Sequence, residues 1–143
     1  MTFRHTLPIQ LRFSDTDALG HVNNSSYFTF FDLGKTRYIC DVLGRQVPAQ
    51  DMGIVLRHAE TDFLHPLFYT DDASVQTRLE CIGNHSFTLM QQIVNNRTGQ
   101  VHCTCRNVMV GFDPATGLST PISDELRQAM TRYEADSDDV QKG

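Results

Sequence analysis

Residues Arg12–Ile39 read RFSDTDALGHVNNSSYFTFFDLGKTRYI, and two patterns meet inside this stretch. As far as Asn24 the residues are those of a polar loop. Asp15 and Asp17 flank Thr16, and Gly20, His21, Val22 and the pair Asn23-Asn24 follow. From Ser25 to Leu43 apolar residues recur at helical spacing: Tyr27, Phe31, Gly34 and Tyr38 form a stripe, which Phe28, Phe30, Leu33, Ile39 and Val42 widen. A stripe this wide predicts a helix covered on more than one side, packed in the concavity of a sheet. Gly34 costs ~1 kcal/mol of helix propensity against Ala and so marks a close approach to a neighbour. Gly44 is the stop signal.

Upstream, residues 7–13 (LPIQLRF) alternate as a half-buried strand does, with Leu7, Ile9, Leu11 and Phe13 on one face. Beyond Pro48 the chain reads as strands over 53–64, 73–83, 85–95 and 100–113, with a break at His65-Pro66. Gly83-Asn84 and the stretch Asn96-Arg97-Thr98-Gly99 are hairpin connections, so the last three strands predict an antiparallel meander. A short helix is expected over 123–133, with Ser123 as N-cap and Asp124 and Glu125 in its first turn. The domain is expected to span 1–133. The tail 134–143, EADSDDVQKG, is acidic, nearly devoid of apolar residues, and reads as disordered.

Strand, helix, then four strands is an α+β order: one long helix on a five-stranded antiparallel sheet. One helix cannot cover both faces of five long strands. The other face, or an open edge, is expected to meet a second copy, as a homodimer or homotetramer.

Composition narrows the function. A chain of 143 residues with a formal charge of −5 fits one domain and offers no global basic field for nucleic acid or an anionic membrane. No apolar run approaches the roughly 20 residues of a membrane span. The start MTFRHTLPIQ lacks the apolar stretch of a signal peptide, so the expected location is cytoplasmic. Cys40, Cys81, Cys103 and Cys105 contain no C-x-x-C pair. Cys103 and Cys105 would share one strand face, a weak metal hint set against small buried thiols in a reducing compartment.

The loop itself carries the chemistry. With Asn23 or Asn24 as N-cap, the first free N–H groups of the helix lie between about Asn24 and Tyr27. They and the positive helix end would stabilise a carbonyl oxygen gaining charge during acyl transfer. Gly20 allows close backbone approach. Asp17, just ahead of the helix, could attack an acyl carbon or take a proton from water. Such a centre suits thioester hydrolysis and needs no metal. The same residues also suit a plain capped turn, with Asp15 structural and His21 a packing residue, and on the residues alone both readings stand.

The segment resembles the hotdog-fold acyl-CoA thioesterases of the 4-hydroxybenzoyl-CoA thioesterase-like superfamily. Asp15, Asp17, Gly20, His21, Val22, Asn23, Asn24, Tyr27 and Asp32 occupy the places of that signature. The resemblance implies a central helix wrapped by the sheet, with two subunits joining sheets and an active site at each interface. It implies Asp17 as nucleophile or general base and Asn24 at the helix start that polarises the thioester carbonyl. Gly20, His21, Val22, Asn23 and Tyr27 would line the substrate. Asp32 would orient a water or pair with Arg37 or Lys35. Ser86 and Thr88 begin a strand where relatives pack on acyl-pantetheine. His21 stands where the hydroxybenzoyl branch often has an apolar residue, which leaves the acyl group open.

On physical grounds Arg97 and Arg106 are candidates for the CoA phosphates. The expected substrate is an acyl-CoA or an acyl carrier protein thioester, with no cofactor beyond the coenzyme A of the substrate. The alternatives are a non-catalytic acyl-CoA sensor and a hotdog hydratase or dehydratase. His58 and Asp62 would share a strand face, as surface groups.

Overall fold

The computed structural model describes residues 2–142, with side chains through Asp136. The chain begins with β1 (His5–Ile9) and a single 3-10 turn at Phe13–Asp15, then α1 (Asn24–Leu43). Four long elements follow: β2 (Ile54–Phe63), β3 (Ala73–Ile82), β4 (Ser86–Asn95) and β5 (Val101–Asp113). A short β6 (Leu118–Thr120) and α2 (Asp124–Lys142) complete it. The sheet is antiparallel throughout, in the order β1-β3-β4-β5-β2, with β6 on the end of β5. This is the α+β hotdog arrangement, with a long helix on a sheet of six strands rather than five.

α1 starts at Asn23, whose side chain accepts the Ser25 N–H at 3.0 Å. It ends at Gly44, in the left-handed conformation (φ +72°) that an L side chain adopts at a cost. Gly34 lies where α1 touches the sheet: a Cβ there would sit 2.9 Å from Gln91 Nε2 and from Val75 Cγ2. The expected close approach is thus real. The first half of the helix packs Tyr27, Phe30 and Phe31 on Val75, Ile93, Cys103 and Cys105. The second half packs Tyr38 and Ile39 on Phe87, Leu89, Met109 and the α2 residues Leu126 and Met130.

Four details depart from the sequence expectation. β1 ends at Ile9, and Phe13 is exposed, because Asp15 Oδ2 takes the Arg12 N–H at 2.9 Å and turns the chain. α1 packs on the sheet and, along its second half, on α2, but Phe28 and Leu33 of the expected stripe stay exposed. β6, three residues long, is too short to show a period. α2 runs past 133, anchored by Glu134, whose Oε1 accepts from Tyr38 Oη at 2.7 Å and from the Leu79 N–H at 2.9 Å. Of the acidic tail 134–143, the side chains after Asp136 lie outside the described residues.

β2 stands at the sheet edge, paired with β5 alone, and most of its residues are exposed.

Candidate active site

The loop before α1 is a small knot of backbone bonds. Thr16 bridges Val22, the Asp17 N–H donates to His21 O at 2.8 Å, and the Gly20 N–H returns to Asp17 O at 3.0 Å. Gly20 closes this turn at φ +82°. Three more contacts lock the knot to the body. Val22 N–H donates to Leu67 O (2.6 Å), Asn23 N–H donates to Asp15 O (2.7 Å), and His21 bridges Phe68. Asp15 is structural, since both its carboxylate and its carbonyl serve the backbone.

Asp17 is divided between two tasks. Its Oδ1 accepts the N–H groups of Leu19 (2.9 Å) and His21 (3.2 Å). Its Oδ2 accepts no hydrogen bond among the described residues. The carboxylate is therefore oriented through one oxygen, while the other is left without a partner among the described residues.

The helix start shows a matching division. The Ser25 N–H goes to the Asn23 side chain and the Ser26 N–H to Asn23 O at 2.9 Å. The Asn24 N–H has no acceptor among the described residues, so it is the free donor at the positive end of α1. The free donor expected somewhere between Asn24 and Tyr27 narrows to Asn24.

Asp17, His21, Val22, Asn24 and Tyr27 line one cavity of about 150 Å³ together with Phe63, Leu64, His65 and Pro66. Those last four residues close the site from the end of β2, where the sequence reads a strand end at Phe63 and Leu64 and a break at His65-Pro66. Tyr27 is buried and stacks edge-on against Phe63, with centroids 5.4 Å apart. Burial, reinforced by the neighbouring Cys103, pushes its phenol up to about 12. Tyr27 is thus a neutral phenol at physiological pH and forms one wall of the cavity. His21 packs edge-on against Phe68 at 5.0 Å, which fits the packing role.

The remaining candidates are scattered. Asp32 lies further along α1, bonded to Lys35 Nζ at 3.1 Å, the pairing alternative of its two expected roles. Phe87 and Leu89 point into the core under α1, so Ser86 and Thr88 lie on the opposite sheet face. Arg106 is on that face too, bound to Glu80 at 3.1 Å. Within one chain none of these three joins the Asp17 cavity. Arg97 sits at the β4–β5 hairpin and reaches Thr70 O, two residues beyond the Phe68 that bridges His21. His58 pairs with Glu60 at 3.0 Å, not with Asp62. Cys103 and Cys105 both face the core, where burial raises their thiols, Cys103 to about 12. Among the described residues no three His, Cys, Asp or Glu side chains gather as a metal set.

A carboxylate with one free oxygen beside a free helix-start N–H is the equipment of acyl transfer. The family model of the thioesterase-like superfamily matches residues 11–130. The chain belongs to that superfamily. As a thioesterase it also resembles solved relatives over nearly its whole length. A structure from Bacillus stearothermophilus, described as a predicted thioesterase, is 31% identical, with a TM-score of 0.80 over 89% of this chain and 93% of that one. A thioesterase from Thermus thermophilus, crystallised with coenzyme A and zinc, is 24% identical, with a TM-score of 0.79, 90% of this chain and 98% of that one covered. YsmA of Bacillus subtilis strain 168, uncharacterised itself, is 25% identical over 122 residues, which are 85% of this chain and 82% of YsmA. The protein is a thioester hydrolase of the hotdog fold.

Proposed function

We propose that this thioesterase hydrolyses acyl-CoA thioesters, with Asp17 attacking or activating water and the Asn24 N–H holding the carbonyl oxygen. The observation that carries this reading is the division of Asp17: Oδ1 is fixed by two N–H groups, Oδ2 takes none among the described residues, and the residue lines one cavity with Asn24. As a nucleophile, Oδ2 adds to the thioester carbon, and collapse expels the thiolate of coenzyme A and leaves an anhydride that water opens. As a base, Oδ2 takes a proton from water while the water oxygen adds to the same carbon. Both routes end in a free acid and a thiol. In both, negative charge grows on the carbonyl oxygen, where the Asn24 N–H and the helix end stabilise it.

Coenzyme A would approach from the surface, with Arg97, which reaches Thr70 O near the loop, as a candidate for its phosphates. The thioester would enter between Tyr27 and the 63–66 wall.

Purified protein and Asp17→Ala are assayed with short, medium, long-chain and aryl acyl-CoAs by release of free thiol. The expected loss in kcat/KM on substitution is at least about a hundredfold, ~2.7 kcal/mol of transition-state stabilisation. Unchanged hydrolysis by Asp17→Ala would remove Asp17 from the chemistry. Binding without thiol release by the unsubstituted protein would make the site a sensor.

A further inference from the structure

A second cavity, of about 300 Å³, opens halfway along α1, between the helix and the start of β2. Its walls are apolar except for Asp32, Lys35 and Thr36. Lys35 is only 7% exposed, a rare position for an ammonium. Its Nζ contacts Asp32 Oδ1 at 3.1 Å and Asn107 Oδ1 at 3.2 Å. Asn107 is held in turn by Gln91 Oε1 at 3.0 Å and Leu89 O at 3.3 Å. The buried Asn107 amide on one side and the exposed Asp32 carboxylate on the other therefore fix where the ammonium stands. An ammonium has three N–H donors, and these contacts occupy two.

Both cavities lie between the same two elements, with Tyr27 and Phe63 in one and Thr36 and Leu56 in the other. From Asn24 to Asp32 the helix rises ~12 Å. Side chains on a helix lean toward its N-terminus, and the bond from Lys35 to Asp32 follows that lean.

We propose that this second cavity receives the far end of the acyl group, and that Lys35 selects acyl groups ending in a neutral oxygen such as a hydroxyl. The inference rests on the thioesterase reading of the Asp17 site. At ~30 Å³ per water-sized group the cavity holds about ten non-hydrogen atoms, a medium-length acyl chain. A hydrocarbon end would leave the third N–H of Lys35 dry and unpartnered, whereas a terminal hydroxyl accepts it. Asp32 already balances the charge of Lys35, so a neutral end suits the site better than a second carboxylate.

The test uses Asp17→Asn, which keeps the thioester intact, and calorimetric binding of octanoyl-CoA, 8-hydroxyoctanoyl-CoA and its ω-carboxyl counterpart. The hydroxyl compound is expected to bind at least tenfold tighter than octanoyl-CoA. Adding Lys35→Met should bring that ratio close to one. Equal binding in Asp17→Asn alone overturns the proposal, whether or not the double variant folds. So does a preference that survives Lys35→Met, or tighter binding of the ω-carboxyl compound. Thiol release by the unsubstituted protein is scored separately: selective binding with no turnover would overturn hydrolysis and leave the pocket assignment standing.

Discussion

Asp17 holds its own loop with one carboxylate oxygen, while the other takes no hydrogen bond among the described residues and the side chain lines the cavity with Asn24. Substitution by Asn therefore separates structure from chemistry. The amide oxygen can keep both N–H bonds, so Asp17→Asn is expected to melt within a few degrees of the parent. Its kcat should still fall at least about a hundredfold, read by thiol release against a melting curve. The local parts of this site were legible in the sequence. Asp17, Gly20, Asn23 and Asn24 act through bonds spanning a few residues, and loop and cap chemistry follows from residue type. Phe63, Leu64, His65 and Pro66 were not legible, because they arrive from a strand that meets the loop only after folding.

Residue-level burial also sets an alkaline limit. Tyr27 and Cys103 have folded values raised to about 12 from ordinary values of 10.0 and 9.0. Above pH 9 the unfolded chain loses these protons before the folded one does, so stability is intact below that point and falls as pH rises toward 12. Urea midpoints should hold level from neutral pH to about 9 and then decline. For the double variant Cys103→Ala/Cys105→Ala, which removes both buried thiols, the onset should move up toward about pH 10, where tyrosine ordinarily titrates. A level profile through about pH 11 would mean that these groups stay exposed in the fold.

Among the elements, α1 carries the strongest sequence signal and its sharpest constraint. At Gly34 a methyl group would press on Gln91 Nε2, and this same atom donates to Phe31 O at 3.0 Å and to Thr77 Oγ1 at 3.0 Å. Gly34→Ala gains helix propensity yet is expected to destabilise by about 1–3 kcal/mol through overpacking, measured by chemical denaturation. Asn23→Ala removes the side chain that accepts the Ser25 N–H and should cost about 1 kcal/mol. Freeing that donor beside Asn24 tests at the same time whether cap geometry matters for turnover. At α2 the helix continues past the expected end at 133, where one glutamate finds partners from distant elements. Glu134 finds two, Tyr38 and the Leu79 N–H.

At the scale of the whole molecule the open surface points to a second copy. β2 leaves one edge unpaired, with Val55, Leu56, Phe63 and Leu64 exposed near its ends, while α1 leaves Phe28 and Leu33 uncovered. Edge-to-edge pairing of two β2 strands would satisfy the backbone and cover part of this apolar surface. Light scattering should therefore return at least twice the chain mass of 16.2 kDa. A monomer at micromolar concentration would mean that the site works within one chain.

The amino-acid order by itself determined the α+β class, the long helix from about Ser25 to Leu43, the β3-β4-β5 meander and the polar loop with Asp17 at the helix start. Each of these rests on short-range periodicity, turn residues and caps, which neighbours in the chain decide. Tertiary structure alone decided that Phe28 and Leu33 of α1 stay exposed, that β2 is an edge, and that the end of β2 closes the Asp17 cavity. It also placed Ser86, Thr88 and Arg106 on the face away from α1, and it buried Lys35 against Asn107, 72 residues away. These outcomes depend on which segments meet and on the face each strand turns inward, and register across the sheet sets both.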